Sequence, residues 1–129
     1  MQNLTVLIFV ESRYKVNRKR IKTALSNLLI QQGVNSPVEV SVAIVGDRKM
    51  RQLSKKYKGE DKTRNILSFS LTEGEKLQGD QNGILRLGDI VISYPVVITE
   101  ASRDEVLVDD KIDELVVHGM EHLLGTHHE

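Results

Sequence analysis

The hydrophobic spacing of this chain changes period as it is read from one end to the other, which excludes an all-helical or an all-strand fold. Leu4 to Val10 is an apolar run of strand length, LTVLIFV. Residues 18–32 then place Ile21, Ala24, Leu25, Leu28 and Leu29 at helical spacing. Asn17 can cap that helix and Gly33 can end it. Val38 to Val45, VEVSVAIV, alternates and is β-branched, the mark of a strand. Asp47 follows as the expected N-cap of a helix with Met50, Leu53 and Tyr57 down one stripe. Ile66–Leu71 and Leu85–Ser93 are two more strand candidates, with the polar, turn-rich segment 72–83 between them as a loop or a hairpin. Helices over about 95–105 and 109–124 complete the chain. The order β-α-β-α-β-β-α-α predicts an α+β fold, a small mixed sheet of about four strands with helices packed on it.

A chain of 129 residues is expected to form a single domain, spanning 1–129. The chain has no cysteine, which removes disulfide scaffolds, thiolate zinc sites, iron–sulfur clusters and cysteine nucleophiles. With two Phe, three Tyr and no Trp, an RNA platform of stacked aromatic rings is not expected. The longest apolar runs fall far short of the ~20 residues of a membrane span. The start, MQNLTVLIFVESRYK, lacks a basic leader region. The expectation is a cytoplasmic protein with no membrane partner.

Formal net charge is zero, but the charges are segregated. Residues 1–66 carry 14 basic and 5 acidic side chains, and residues 100–129 carry 9 acidic and 2 basic ones. A neutral protein with a basic half can bind a polyanion over part of its surface. Arg13, Lys15, Arg18, Lys19, Arg20 and Lys22 form one basic stretch, and Lys55, Lys56, Lys58, Lys62 and Arg64 a second. Together they are a candidate track for RNA.

All four histidines lie in the last twelve residues, HGMEHLLGTHHE. His118 and His122 are four apart on a predicted helix, about 40° apart around its axis. Ile112, Val116, Gly119 and Leu123 fall on the opposite side, toward the core. Two imidazoles on adjacent turns are how one helix offers a metal two nitrogens. Gly125 is expected to end the helix in the left-handed conformation, so that the chain reverses and returns His127 or His128 to the pair. Three nitrogens leave a tetrahedral metal one open position, the arrangement of catalytic rather than structural sites.

The segment His118-Gly-Met-Glu-His122-Leu-Leu-Gly-Thr-His-His128 resembles the H-G-x-L-H-L-x-G-Y-D-H signature of the YbeY family, bacterial endoribonucleases of rRNA maturation. Leu87-Gly-Asp-Ile-Val-Ile-Ser93 is similar to the family's L-G-D-I-x-I-S segment, and Asn65-Ile-Leu-Ser-Phe69 to its T-D-V-L-S-F segment. The resemblance implies a metal site on the C-terminal helix, with His118, His122 and His128 as ligands and one Zn2+ per chain. It implies hydrolysis of phosphodiesters in single-stranded RNA by metal-activated water, in 16S rRNA 3′-end maturation and ribosome quality control. The implied partners are rRNA and the ribosomal small subunit or its assembly factors. Lys58 stands where the family has an arginine, and the resemblance gives it a phosphate-binding, catalytic role. A lysine is a point charge where arginine is a bidentate fork, so looser orientation of RNA is expected.

This chain departs from the family pattern at Glu121, where leucine is usual, and at Thr126-His127, where Tyr-Asp is usual. Glu121 completes H-x-x-E-H, the inverted zinc-protease pattern, about 60° from His118 on the helix, and is either an ordinary solvated helix glutamate or a candidate general base. Asp89 is either an acceptor for a ligand imidazole or a structural turn or cap residue. Asn65 and Ser68 either line a cleft or end a strand. Two other classes fit the same residues: a zinc metalloprotease-like hydrolase, and a non-catalytic ribosome-associated factor with a structural metal.

Overall fold

The computed structural model describes residues 4–70 and 83–128, the last three of these in backbone only. The elements are β1 (Leu4–Val10), α1 (Arg18–Gln31), β2 (Val38–Val45), α2 (Asp47–Lys58), β3 (Ile66–Ser70), β4 (Leu85–Ser93), α3 (Tyr94–Asp104) and α4 (Val108–His128). Their order is the one the periodicity predicts. The loop or hairpin expected over 72–83 lies outside the described residues except for Gly83.

The four strands form one mixed sheet in the order β1-β2-β4-β3. β1, β2 and β4 are parallel, and β3 runs antiparallel to β4. Strand alternation sorts the sheet into two faces. Val38, Val40, Val42 and Ile44 of β2 and Ile90 and Ile92 of β4 join Leu25, Leu29, Val97, Val116, Met120 and Leu123 in the main core. That face is covered by α1 and α4, with Val97 of α3 beside them. Val45, Leu67 and Val91 point the other way and enclose Met50 of α2 in a second, smaller cluster. α2 and α4 therefore lie on opposite faces of the sheet. On the α2 side the covering stops short of β1, where Leu7 and Phe9 remain exposed.

The ends of α1 are as the sequence predicts. The Asn17 side chain accepts from the backbone N–H of Arg20 at 3.0 Å. At the other end Gly33 takes φ 70°, and the N–H groups of Gly33 and Val34 donate to the carbonyls of Ile30 and Leu29. This pair of bonds closes the last turn.

The start of α2 differs from expectation. Gly46, not Asp47, is the N-cap. The side chains of Arg13 and Tyr14 occupy the space a Cβ at position 46 would need, and the Gly46 N–H donates to Glu11 Oε2 at 3.0 Å. Asp47, displaced into the first turn, accepts from Thr63 Oγ1 at 2.8 Å and so ties the α2–β3 connection to the helix start.

The sheet needs glycine at one point. Registry between β2 and β4 slips by one residue between Glu39 and Val40, which pair with Arg86 and Gly88. Gly88 has φ 144°, and a Cβ there would meet the carbonyl oxygen of Phe69 at 2.0 Å. Only glycine allows β3 to pair across this irregularity.

Candidate active site

Helix α4 carries the histidines, and three features fix its position. Asp109 and Asp110 stand in its first turn, where the helix dipole favours negative charge. Arg20 of α1 binds it from the side, with Nε donating to Asp113 Oδ2 at 2.6 Å and the outer guanidinium nitrogen to Asp110. These contacts raise the Arg20 pKa above its ordinary value, the Asp113 hydrogen bond contributing most. Finally, Gly119 lets the helix settle onto the sheet. A Cβ there would stand 3.0 Å from Ile90 Cγ2 and 3.1 Å from Ile66 Cδ1.

The buried stripe is Ile112, Leu115, Val116, Met120, Leu123 and Leu124, with Gly119 also enclosed. It contains all four positions the sequence assigned to the core. His118, Glu121 and His122 are consequently exposed. The two imidazoles sit on successive turns of one helix, where side chains four apart are neighbours at about 5–6 Å between Cβ atoms. That spacing lets two nitrogens converge on one ion, and a pair of neutral imidazoles is a suitable donor set for zinc. Among the described residues no group of three or more His, Asp or Glu side chains converges as a complete metal site. The side chain of the third expected ligand, His128, lies outside the described residues, as does that of His127.

The reversal expected at Gly125 does not occur. Gly125 is not among the glycines with positive φ, and α4 continues through it to His128. A helix tolerates glycine at a cost of about 1 kcal/mol relative to alanine, so the residue permits a break without imposing one. His128 is six helical steps beyond His122, a rise of about 9 Å with a rotation of roughly 240°. A continuous helix does not bring position 128 back to the His118–His122 pair.

Lys58 is the last residue of α2 and is exposed. It lies on the far side of the sheet from α4, so the structure does not place it against the imidazoles. Its position is nevertheless related to theirs. Tyr57 packs on Phe69 of β3 with ring centroids 4.5 Å apart, and Gly119 of α4 packs on Ile66 of the same strand. Lys58 and the histidines thus flank β3 from its two faces, at one end of the four-stranded sheet.

Asp89 is directly opposite Phe69 in the β3–β4 ladder and so shares its α2-side face. That face is the one away from α4, which disfavours Asp89 as an acceptor for His118 or His122 and leaves it the structural role. Asn65 ends a strand rather than lining a cleft: its amide donates to Glu100 of α3 at 3.2 Å, and its carbonyl accepts from the Ser93 N–H at 3.0 Å. Ser68 alternates with Leu67 and Phe69 and lies on the α4 side of β3.

The segregated charges also find their explanation. Much of the C-terminal acid excess is neutralised internally. Besides Arg20 with Asp110 and Asp113, Lys111 donates to Asp104 at 2.8 Å and to Glu114 at 3.3 Å, with its side chain only 7% exposed. The two basic stretches do not form one track, because α1 and α2 cover opposite faces. α1 also uses its cations internally, Arg18 donating to the Ile8 carbonyl at 2.8 Å. The sequence reading missed Arg48, Lys49 and Arg51 of α2, which a helical wheel of DRKMRQLSKKYK places on its exposed side.

Comparison with known proteins agrees with this architecture. The family model described as Endoribonuclease YbeY matches residues 9–129. An Endoribonuclease YbeY from Syntrophus aciditrophicus is 32% identical over 119 residues, which cover 92% of this chain and 72% of that protein. One from Aquifex aeolicus is 34% identical over 128 residues, 99% of this chain and 80% of the relative. The solution structure of TM1509 from Thermotoga maritima superposes with a TM-score of 0.60 over 92% of this chain and 71% of that one, at 21% identity, a likeness of fold.

Proposed function

This chain belongs to the YbeY endoribonuclease family, and from that premise we propose that it is a zinc-dependent, single-strand-specific endoribonuclease acting in rRNA maturation. Its substrate class is RNA, and the reaction is hydrolysis of a phosphodiester. The observation that carries the reading is the pair His118 and His122, exposed on successive turns of a helix whose other side is locked into the core.

The residues divide the work as follows. His118 and His122 hold the ion as neutral imidazoles, leaving its positive charge uncancelled. His128 is the third residue that would hold it. A bound zinc ion supplies a Lewis acid and lowers the pKa of bound water from ~15.7 to about 7. Lys58 neutralises a phosphate of the strand as it passes β3. Within the cell the reading places the protein in the cytoplasm, acting on the 3′ end of 16S rRNA and in ribosome quality control, with the small subunit or its assembly factors as partners.

The test is incubation of the untagged protein with an unstructured RNA and with an unfolded polypeptide, each with zinc and with chelator. The expected result is zinc-dependent cleavage of RNA alone, lost in His122→Ala. Cleavage of the polypeptide instead would establish the protease reading. Bound metal without cleavage of either would establish the non-catalytic one.

A further inference from the structure

Helix α2 has a feature that folding does not account for. Its sequence, DRKMRQLSKKYK, contains six Arg or Lys and one acid. Placed on a wheel with Arg48 at 0°, Lys55, Arg51 and Lys58 fall within about 80° to one side, and Gln52, Lys56 and Lys49 within about 100° to the other. The remaining arc holds Met50 and Ser54, both fully buried, with Leu53 packed against the second core cluster. The whole outward half of the helix is therefore cationic.

None of these six side chains has a carboxylate partner among the described residues. Asp47, the one acid, is engaged by Thr63. Lys56 lies over the Tyr57 ring at 5.1 Å, a contact that leaves its charge unpaired. Arg48/Arg51, Arg51/Lys55 and Lys55/Lys58 are like charges at the spacings where helix neighbours repel. Arg48 and Lys49 also stand in the first turn, where the dipole disfavours cations. Lys55, Lys56 and Lys58 gain from the dipole at the helix C-terminus, but the mutual repulsion along the face and the two cations of the first turn are left uncompensated, and an external polyanion would relieve both. α1 offers no equivalent, because its Arg18 and Arg20 are committed to internal acceptors.

We propose that the outward face of α2 holds the phosphodiester backbone of single-stranded RNA, which then passes around β3 to reach the histidines on the opposite face of the sheet. The proposal rests on the nuclease reading for the identity of the polyanion. The helix end supplies the path: Lys58 is its last residue, and Tyr57 beside it packs on Phe69 of β3, whose reverse face meets α4. Backbone charge is all that is recognised, so the surface is indifferent to base sequence.

The test compares two variants of the full chain that each lose three positive charges: Arg48→Gln/Arg51→Gln/Lys55→Gln on α2, and Lys15→Gln/Lys19→Gln/Lys22→Gln on and beside α1. Affinity for a fluorescein-labelled oligouridine is read by anisotropy across a salt series. Each phosphate contact on a single strand contributes about −0.7 to the slope of log K against log salt. The α2 variant is expected to lose at least about ten-fold in affinity at low salt, with a slope shallower by about 2. The α1 variant should stay within about two-fold of the parent. Equal losses in the two variants, or an α2 variant that binds like the parent, would overturn the proposal. If the parent binds through α2 but never cleaves, the nuclease reading fails and this surface stands. If the parent cleaves and the α2 variant binds unchanged, this surface alone fails.

Discussion

Two glycines on α4 differ only in what surrounds them, and alanine at each gives a matched pair of measurements. In a helix, Gly→Ala is worth about 1 kcal/mol in favour of folding through backbone propensity. At Gly125 nothing lies within 4 Å of the new methyl group, so Gly125→Ala should gain up to about 1 kcal/mol. At Gly119 the same group would stand 3.0–3.1 Å from the side chains of Ile90 and Ile66. Such overpacking costs about 1–3 kcal/mol, since the isoleucines must shift or α4 must lift from the sheet. Gly119→Ala should therefore fall between neutrality and a loss of about 2 kcal/mol, some 1–3 kcal/mol below its partner. Urea unfolding followed by far-UV circular dichroism, with equal m-values, measures the difference. If Gly119→Ala stabilises as much as Gly125→Ala, α4 does not sit against β3 and β4 as described, and the placement of His118 beside it fails too.

Three further outcomes are expected. Gly88→Ala meets backbone rather than a yielding side chain, because Phe69 carbonyl oxygen lies 2.0 Å from the new atom. It should cost more than ~3 kcal/mol by breaking the β3–β4 pairing, visible as loss of amide protection in β3. Asp104 is held well below the ordinary carboxylate pKa by hydrogen bonds from Arg103 and then Lys111. A lowered folded pKa means its stabilisation is present above the unfolded value of ~3.9 and disappears as pH falls below it. Asp104→Asn should accordingly lower stability at neutral pH while changing it little at the most acidic pH where the protein still folds; equal losses at both would contradict the pairing. Lys58→Arg restores the fork usual in the family and should raise kcat/KM on RNA several-fold, whereas Lys58→Gln should lower it. Indifference to both would remove Lys58 from the phosphate path.

The elements were legible because their periodicity is local. Val38 to Ile44 alternates in burial, with Val38, Val40, Val42 and Ile44 all buried. Asn17 and Gly33 announce α1 through interactions confined to a few neighbours. Asp47 is not the N-cap the segment alone suggests, because the Gly46 N–H is held by Glu11 and the Asp47 carboxylate by Thr63, partners distant in sequence that an N-cap rule does not consider. Gly125 misled for a related reason: glycine permits a left-handed residue, but tertiary surroundings determine whether one forms. The histidine pair was readable from its i, i+4 spacing. The distribution of cations between the two faces was not, since it depends on sheet order and on partners such as Asp110 and Asp113, some ninety residues from Arg20.

The central claim is that imidazoles of α4 hold one divalent ion, and metal content measures it directly. Untagged protein purified with zinc present and then dialysed should carry close to one zinc per chain by elemental mass spectrometry. His122→Ala should retain only a small fraction while remaining folded, because His122 is exposed and contributes nothing to the core. Equal zinc in parent and variant, or none in either, would contradict the claim.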